Sequence, residues 1–242
     1  MGLFSNLKRT TGRVLKKLTS PISMTLKSVS KMGKDKSRVI NKIPDEDKTT
    51  ALVAKQVYNS PNSRSPVVSD FTLDRDFNAE KHCVYVNDSR NELIIGLRGT
   101  KPTDVEDLAN DANIVRTDLF DEENVRFNRS YRISDADALY NRVRQKYPAY
   151  RIVVSGHSLA GRMAMELARN HRQRGVDGNT SYVAYNAGGF PMSVKDYPID
   201  RTKIYLTGSD VLSWGWNRHP SSIIVDRPDK SIGNNHGIDY FL

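Results

Sequence analysis

The sequence predicts an α/β fold: a mostly parallel sheet with helices on both faces, preceded by a basic segment outside it. Three observations point there. Short β-rich runs alternate with helical periods between residues 82 and 225. One apolar run passes through a tight turn straight into a helix near residue 158. The net positive charge is confined to the first 42 residues. In order, Pro44 to Lys48 reads as a linker and helix start, and Ala51 to Tyr58 as a short helix. His82 to Val86 and Leu93 to Leu97 read as adjacent strands joined by the polar turn Asn87 to Arg90. Val105, Leu108 and Ala112 give an acidic helix over residues 103–113. Ser134 to Tyr147 reads as a helix capped by Ser134, with Leu139, Val143 and Tyr147 on one side. Strand Ile152 to Val154 leads into a helix reaching about Arg174, and strands Tyr182 to Tyr185, Ile204 to Leu206 and Ile223 to Val225 follow.

Residues 1–42 hold eleven Lys and Arg against one acid, Asp35, a net +10; the whole chain is +9, so the remainder sums to −1. The chain therefore divides into a basic segment, 1–43, and a domain, 44–242. Wound at 100° per residue, Leu3, Phe4, Leu7, Thr11, Val14, Leu15 and Leu18 share an arc of about 120°. Lys8, Arg9, Arg13, Lys16 and Lys17 fill the rest, and Pro21 ends the helix. A narrow apolar stripe with a cationic back describes a helix lying in an anionic membrane surface. Docking onto a protein partner is the second expectation. Nucleic acid is the least favoured, since basic arms that bind it seldom carry so clean an apolar face. Met1-Gly2 opens a near match to an N-myristoylation signal, with the hydroxyl residue, Ser5, one place early.

No run is long enough to cross a bilayer, and the start lacks a signal peptide's apolar core and cleavage site. Cys83 is the single cysteine, which forbids an internal disulfide and fits a reducing compartment. The expected location is intracellular and peripheral to a membrane, not reached by classical secretion, with packaging into a virus particle as an alternative. The glycosylation-type triplets at Asn87, Asn128 and Asn179 are read as chance on the same ground. No metal-ligand spacing, phosphate loop or dinucleotide fingerprint occurs, so no cofactor is expected.

Ser155-Gly156-His157-Ser158-Leu159-Ala160-Gly161 sits at the strand-to-helix turn. A serine among small residues on such a turn is the nucleophile elbow of α/β-hydrolases. The turn exposes the hydroxyl and aims unpaired helix N–H groups at whatever the serine attacks. A serine needs a base to take its proton and a carboxylate to orient that base. Ser158, Asp210 and His236 occur in hydrolase order. Asp226 is second choice for the acid because it also follows a strand, whereas Asp200 precedes one. His219 is the rival base; His82 and His171 precede Asp210, and His157, beside the serine, should point elsewhere. The N–H of Leu159 is one oxyanion donor by the nucleophile-plus-one rule.

Several motifs occur in order: Ile94-Ile95-Gly96-Leu97-Arg98-Gly99-Thr100, the acidic helix with Asp104, Asp107 and Asp111, and Tyr147-Pro148-Ala149-Tyr150. Gly-His-Ser-Leu-Ala-Gly at the elbow, Asp210-Val211, and His236 before Tyr240-Phe241 complete the series. Over roughly residues 50–242 this series resembles the class 3 lipase family. The resemblance implies an α/β-hydrolase fold, carboxylic-ester hydrolysis of a lipid or small ester, and Thr100 as the second oxyanion donor. Arg98 is expected to satisfy nearby carboxylates. Ala160 departs from the family's usual glycine, and a slightly displaced elbow helix is expected. Residues 101–113 occupy the lid position, and their few large apolar side chains argue against a triglyceride specialist. Lipase, phospholipase and esterase remain open. The alternative is a lipase-fold scaffold without catalysis, whose N-terminus binds membranes or docks into an assembly such as a virus particle.

Overall fold

The computed structural model describes residues 38–99, 122–176, 178–189, 194–208, 210, 213–226 and 236–242. The amphipathic segment 3–18, the predicted helix 103–113 and Thr100 lie outside them. Nine strands form one sheet: β1 (Arg38–Ile40), β2 (Val67–Val68), β3 (Phe71–Ala79), β4 (His82–Asn87), β5 (Glu92–Leu97), β6 (Arg151–His157), β7 (Thr180–Tyr185), β8 (Thr202–Thr207) and β9 (Ser222–Val225). Their spatial order is β1-β9-β8-β7-β6-β5-β4-β3-β2. Every pair from β5 across to β1 is parallel, and the hairpins β2–β3, β3–β4 and β4–β5 are antiparallel.

Among the described residues three α-helices cover this sheet: α1 (Asp45–Gln56), α2 (Glu122–Lys146) and α3 (Leu159–Gln173). Alternating side chains on the central strands feed two cores. Leu93, Ile95, Ile152 and Val154 face one core with Leu139 and Val143 of α2 and Ala164, Met165 and Ala168 of α3. Ile94 and Val153 face the other, with Ala51, Val53 and Ala54 of α1 and Phe241 near the C-terminus. Helices thus lie on both faces, as the alternation of β and α runs predicts.

The sequence reading and the structure differ at identifiable places. Helix α2 begins at Glu122, so Ser134 lies within it and does not cap it. Strands β2 and β3 extend the sheet beyond β4, and β3 was not read from the sequence. At the other edge Arg38, Val39 and Ile40 pair in parallel with Ile223, Ile224 and Val225, so the sheet begins on the tail side of the boundary at residue 43.

Candidate active site

The C-terminal ends of the parallel strands bring the reactive side chains together, as open α/β sheets do. Strand β6 ends at His157, and α3 starts at Leu159. Ser158 between them has φ 59° and ψ −125°, a conformation that L residues seldom adopt. Neighbouring backbone holds it there. The Ser158 N–H donates to Tyr185 O at 3.0 Å, and Ser158 O accepts from Gly188 N at 2.9 Å and Arg162 N at 3.1 Å. The tight crossing needs small residues. A Cβ on Gly156 would lie 2.4 Å from Ala160 O, and one on Gly161 would lie 3.2 Å from the Ala187 Cα. Ala160 is fully buried in the first turn of α3, directly against Gly156.

Asp210 follows β8, three residues beyond Thr207, whose carbonyl accepts its N–H at 3.2 Å. His236 precedes a 3-10 turn, Ile238–Phe241. Its Nδ1 lies 2.8 Å from Asp210 Oδ2, and its Nε2 lies 2.7 Å from Ser158 Oγ. A carboxylate only accepts, so Nδ1–H donates to Asp210 and Nε2 accepts the Ser158 O–H. All three side chains are largely shielded from water; Asp210 exposes 3% of its side chain and His236 15%. An imidazole hydrogen-bonded on one side to a carboxylate and on the other to a hydroxyl can take the hydroxyl proton and have its positive charge stabilised as it does so.

The structure separates the rivals from this series. His236 takes Asp210, not Asp226, whose N–H bonds the Ile40 carbonyl at the β1 edge. His219 is buried elsewhere, against Tyr197, and its Nδ1 accepts the Ser221 N–H at 3.1 Å. His171, in the last turn of α3, bridges Tyr182 and Asp137. Arg98 pairs with the carboxylate of Glu80. Leu159 is the first residue of α3, so its N–H has no carbonyl one turn back within the helix. Among the described residues, no group of three His, Cys, Asp or Glu could hold a metal, and no helix is long and apolar enough to cross a membrane.

Two neighbours of the site were not assigned a role from the sequence. His157 donates its Nε2–H to the His236 carbonyl at 2.5 Å and turns Nδ1 toward the Tyr58 hydroxyl at 3.1 Å. Burial, together with the nearby His236, holds its pKa down at about 4. Asn186, fully buried at the end of β7 with φ 42°, donates from Nδ2 to the same carbonyl at 3.1 Å. Strand parity was the available signal for His157. Val153 enters the core beside α1 and Ser155 Oγ bonds the Thr50 carbonyl of α1, so His157, two further on, faces that side as well.

A doubly covered α/β sheet with a serine at its central strand-to-helix turn is the α/β-hydrolase fold. Solved structures similar to this one include fungal lipases. The Lip2 lipase of Yarrowia lipolytica matches 80% of this chain and 83% of its own, with 16% identity and a TM-score of 0.52. A second fungal lipase matches 82% of this chain and 85% of its own, with 13% identity and a TM-score of 0.51. The chain has the fungal-lipase fold that its motifs predict. No protein-family model matches the sequence, and no curated protein does.

Proposed function

We propose that the protein is a serine carboxylic-ester hydrolase, a lipase or phospholipase acting on lipid esters at a membrane surface. The observation that carries this reading is the position of His236, bonded to both Asp210 and Ser158. In the proposed reaction His236 Nε2 accepts the Ser158 proton as Oγ attacks the ester carbonyl. The N–H of Leu159 and a donor at Thr100 receive the oxyanion, and the proton passes from His236 to the leaving alcohol. Water then hydrolyses the acyl-serine by the same route. Asp210 orients the imidazole and stabilises its cation. Residues 1–42 hold the domain on an anionic bilayer, so that it resides inside the cell at a membrane face; a protein assembly, including a virus particle, is the second docking partner.

One experiment addresses the whole reading. The wild type, Ser158→Ala, and a full-length variant with Lys8, Arg9, Arg13, Lys16 and Lys17 all changed to Gln are assayed on a soluble ester and on phosphatidylglycerol-containing vesicles. Full-length protein is used because β1 begins at Arg38, inside the basic segment. Ser158→Ala is expected to lose at least roughly 10³-fold in kcat on both substrates and to resist a fluorophosphonate probe. The tail variant should retain the soluble activity and lose the vesicle activity. A wild type whose hydrolysis and labelling equal those of Ser158→Ala would instead make the fold a scaffold.

A further inference from the structure

His236 sits on neither a strand nor an α-helix, so no helix or sheet ladder fixes its backbone, yet its ring must stay within hydrogen-bond reach of two partners at once. Its carbonyl meets two donors that come from different parts of the sheet. His157, the last residue of β6, supplies Nε2–H at 2.5 Å. Asn186, just beyond β7, supplies Nδ2–H at 3.1 Å. A carbonyl oxygen has two lone pairs, and both are used.

Each donor is itself fixed. With the proton on Nε2, the neutral His157 ring can only accept at Nδ1, where the Tyr58 hydroxyl stands at 3.1 Å. Gly99 leaves room for that hydroxyl, since a Cβ there would come within 2.9 Å of it. The Asn186 amide is oriented through its other atom: Oδ1 accepts the Thr207 N–H at 2.9 Å, at the end of the strand that leads to Asp210. Asparagine is among the few residues that tolerate its left-handed φ. The charged or titratable groups facing His157 are His236, Asp210 and Asp239, besides Tyr58.

We infer that His157 and Asn186 are positioning residues: together they anchor the His236 carbonyl, and through it hold the imidazole in line between Asp210 and Ser158. Asn186 also ties the base-bearing backbone to the acid-bearing strand, so acid and base move as one unit. The consequence for turnover rests on the ester-hydrolase reading; the anchoring itself does not. A displacement near 1 Å at a reacting group can lower a rate by about 10²-fold, so loss of the anchor should appear in kcat more than in KM.

The test records the Nδ1–H resonance of His236 by NMR in full-length, ¹⁵N-histidine-labelled protein at one pH. Wild type is compared with His157→Phe, His157→Gln and Asn186→Gly, and thermal unfolding is recorded for each. Gln can place an amide N–H near the former Nε2, whereas Phe cannot donate. In His157→Phe and Asn186→Gly the looser pairing with Asp210 should move that resonance upfield, because the N–H loses part of its hydrogen bond to the carboxylate. In His157→Gln the resonance should stay near its wild-type position. In parallel, kcat should fall roughly 10- to 100-fold in the Phe and Gly variants, with KM within about twofold. If His157→Phe does not fold, Asn186→Gly against wild type makes the same comparison. A folded His157→Phe or Asn186→Gly with an unmoved resonance overturns the anchor, as does His157→Gln shifting as far as Phe. Shifted resonances in these variants, with a wild type that shows no Ser158-dependent hydrolysis, would uphold the anchor and overturn the hydrolase reading.

Discussion

Gly156 shows how little the elbow tolerates. An added methyl would meet the carbonyl of Ala160 at 2.4 Å, and that atom is backbone in the first turn of α3, unable to swing aside. Gly188, on the far side of the serine, is different, since a Cβ there finds nothing nearer than 3.5 Å. Overpacking of this kind costs about 2 kcal/mol. Gly156→Ala should therefore lower the melting temperature by roughly 4–8 °C, while Gly188→Ala should change it by about 2 °C or less. Equal melting temperatures for the two variants would refute this account of the turn. At this scale the meeting of Ser158, Asp210 and His236 was legible from chain order and strand ends and, for His236 against His219, from its place after the last strand and the Tyr240-Phe241 match. His157 and Asn186 were not, because a hydrogen bond to a carbonyl 79 or 50 residues away leaves no local pattern. Parity along β6 at least gave the direction of His157.

Helix α3 packs on the sheet with a charged cluster buried along one side. Glu166 exposes 3% of its surface; its Oε1 accepts from Arg162 Nε at 2.7 Å and Tyr197 OH at 2.8 Å, and its Oε2 lies 2.8 Å from Arg169. Arg162, 6% exposed, also lies with its guanidinium 5.4 Å from the Trp216 ring centroid. Removing one member of a buried pair leaves the other desolvated without its counter-charge, at a cost of about 3–5 kcal/mol. Glu166→Ala should accordingly lower the melting temperature by roughly 6–20 °C. Arg169→Ala should lower it far less, because that side chain is 34% exposed and water already screens it. Comparable losses in both variants would contradict the burial argument. The central strands and α3 were readable because β-branched runs and i, i+4 spacing announce them. Strand β3 was not, although Phe71, Leu73 and Phe77 alternate with Thr72, Asp74, Asp76 and Asn78. Aspartates disfavour strands on their own. Here Lys146 Nζ reaches Asp74 at 2.9 Å and Asp76 at 2.7 Å from the end of α2, a tertiary contact that no local propensity reveals.

Over the whole molecule, the formal charge of +9 gives no guide to how stability responds to pH, because the basic excess belongs to residues 1–42. The response belongs instead to histidines that the fold buries as neutral rings. Burial is the largest cause that lowers His82 and His157 to about 4 each, and it also lowers His171 and His219. A ring whose folded pKa lies below its unfolded value of about 6.5 binds protons more tightly when unfolded. Its contribution is therefore complete above pH 6.5 and is lost as pH falls toward the folded pKa. For His157, the drop from 6.5 to about 4 corresponds to about 3 kcal/mol by pH 4. The carboxylates lowered by their partners, Asp74 through Lys146 and Tyr147 and Asp137 through Arg174 and His171, act in a separate window. Their contribution is present above about pH 4 and is lost only below it. The melting temperature should thus be level above pH 7 and fall steadily between pH 6.5 and 4.5, and His157→Gln, lacking one of the titrating rings, should fall less steeply. Differential scanning calorimetry across that range checks both; a wild-type melting temperature unchanged from pH 7 to 4.5 would mean that these rings are not held neutral by the fold.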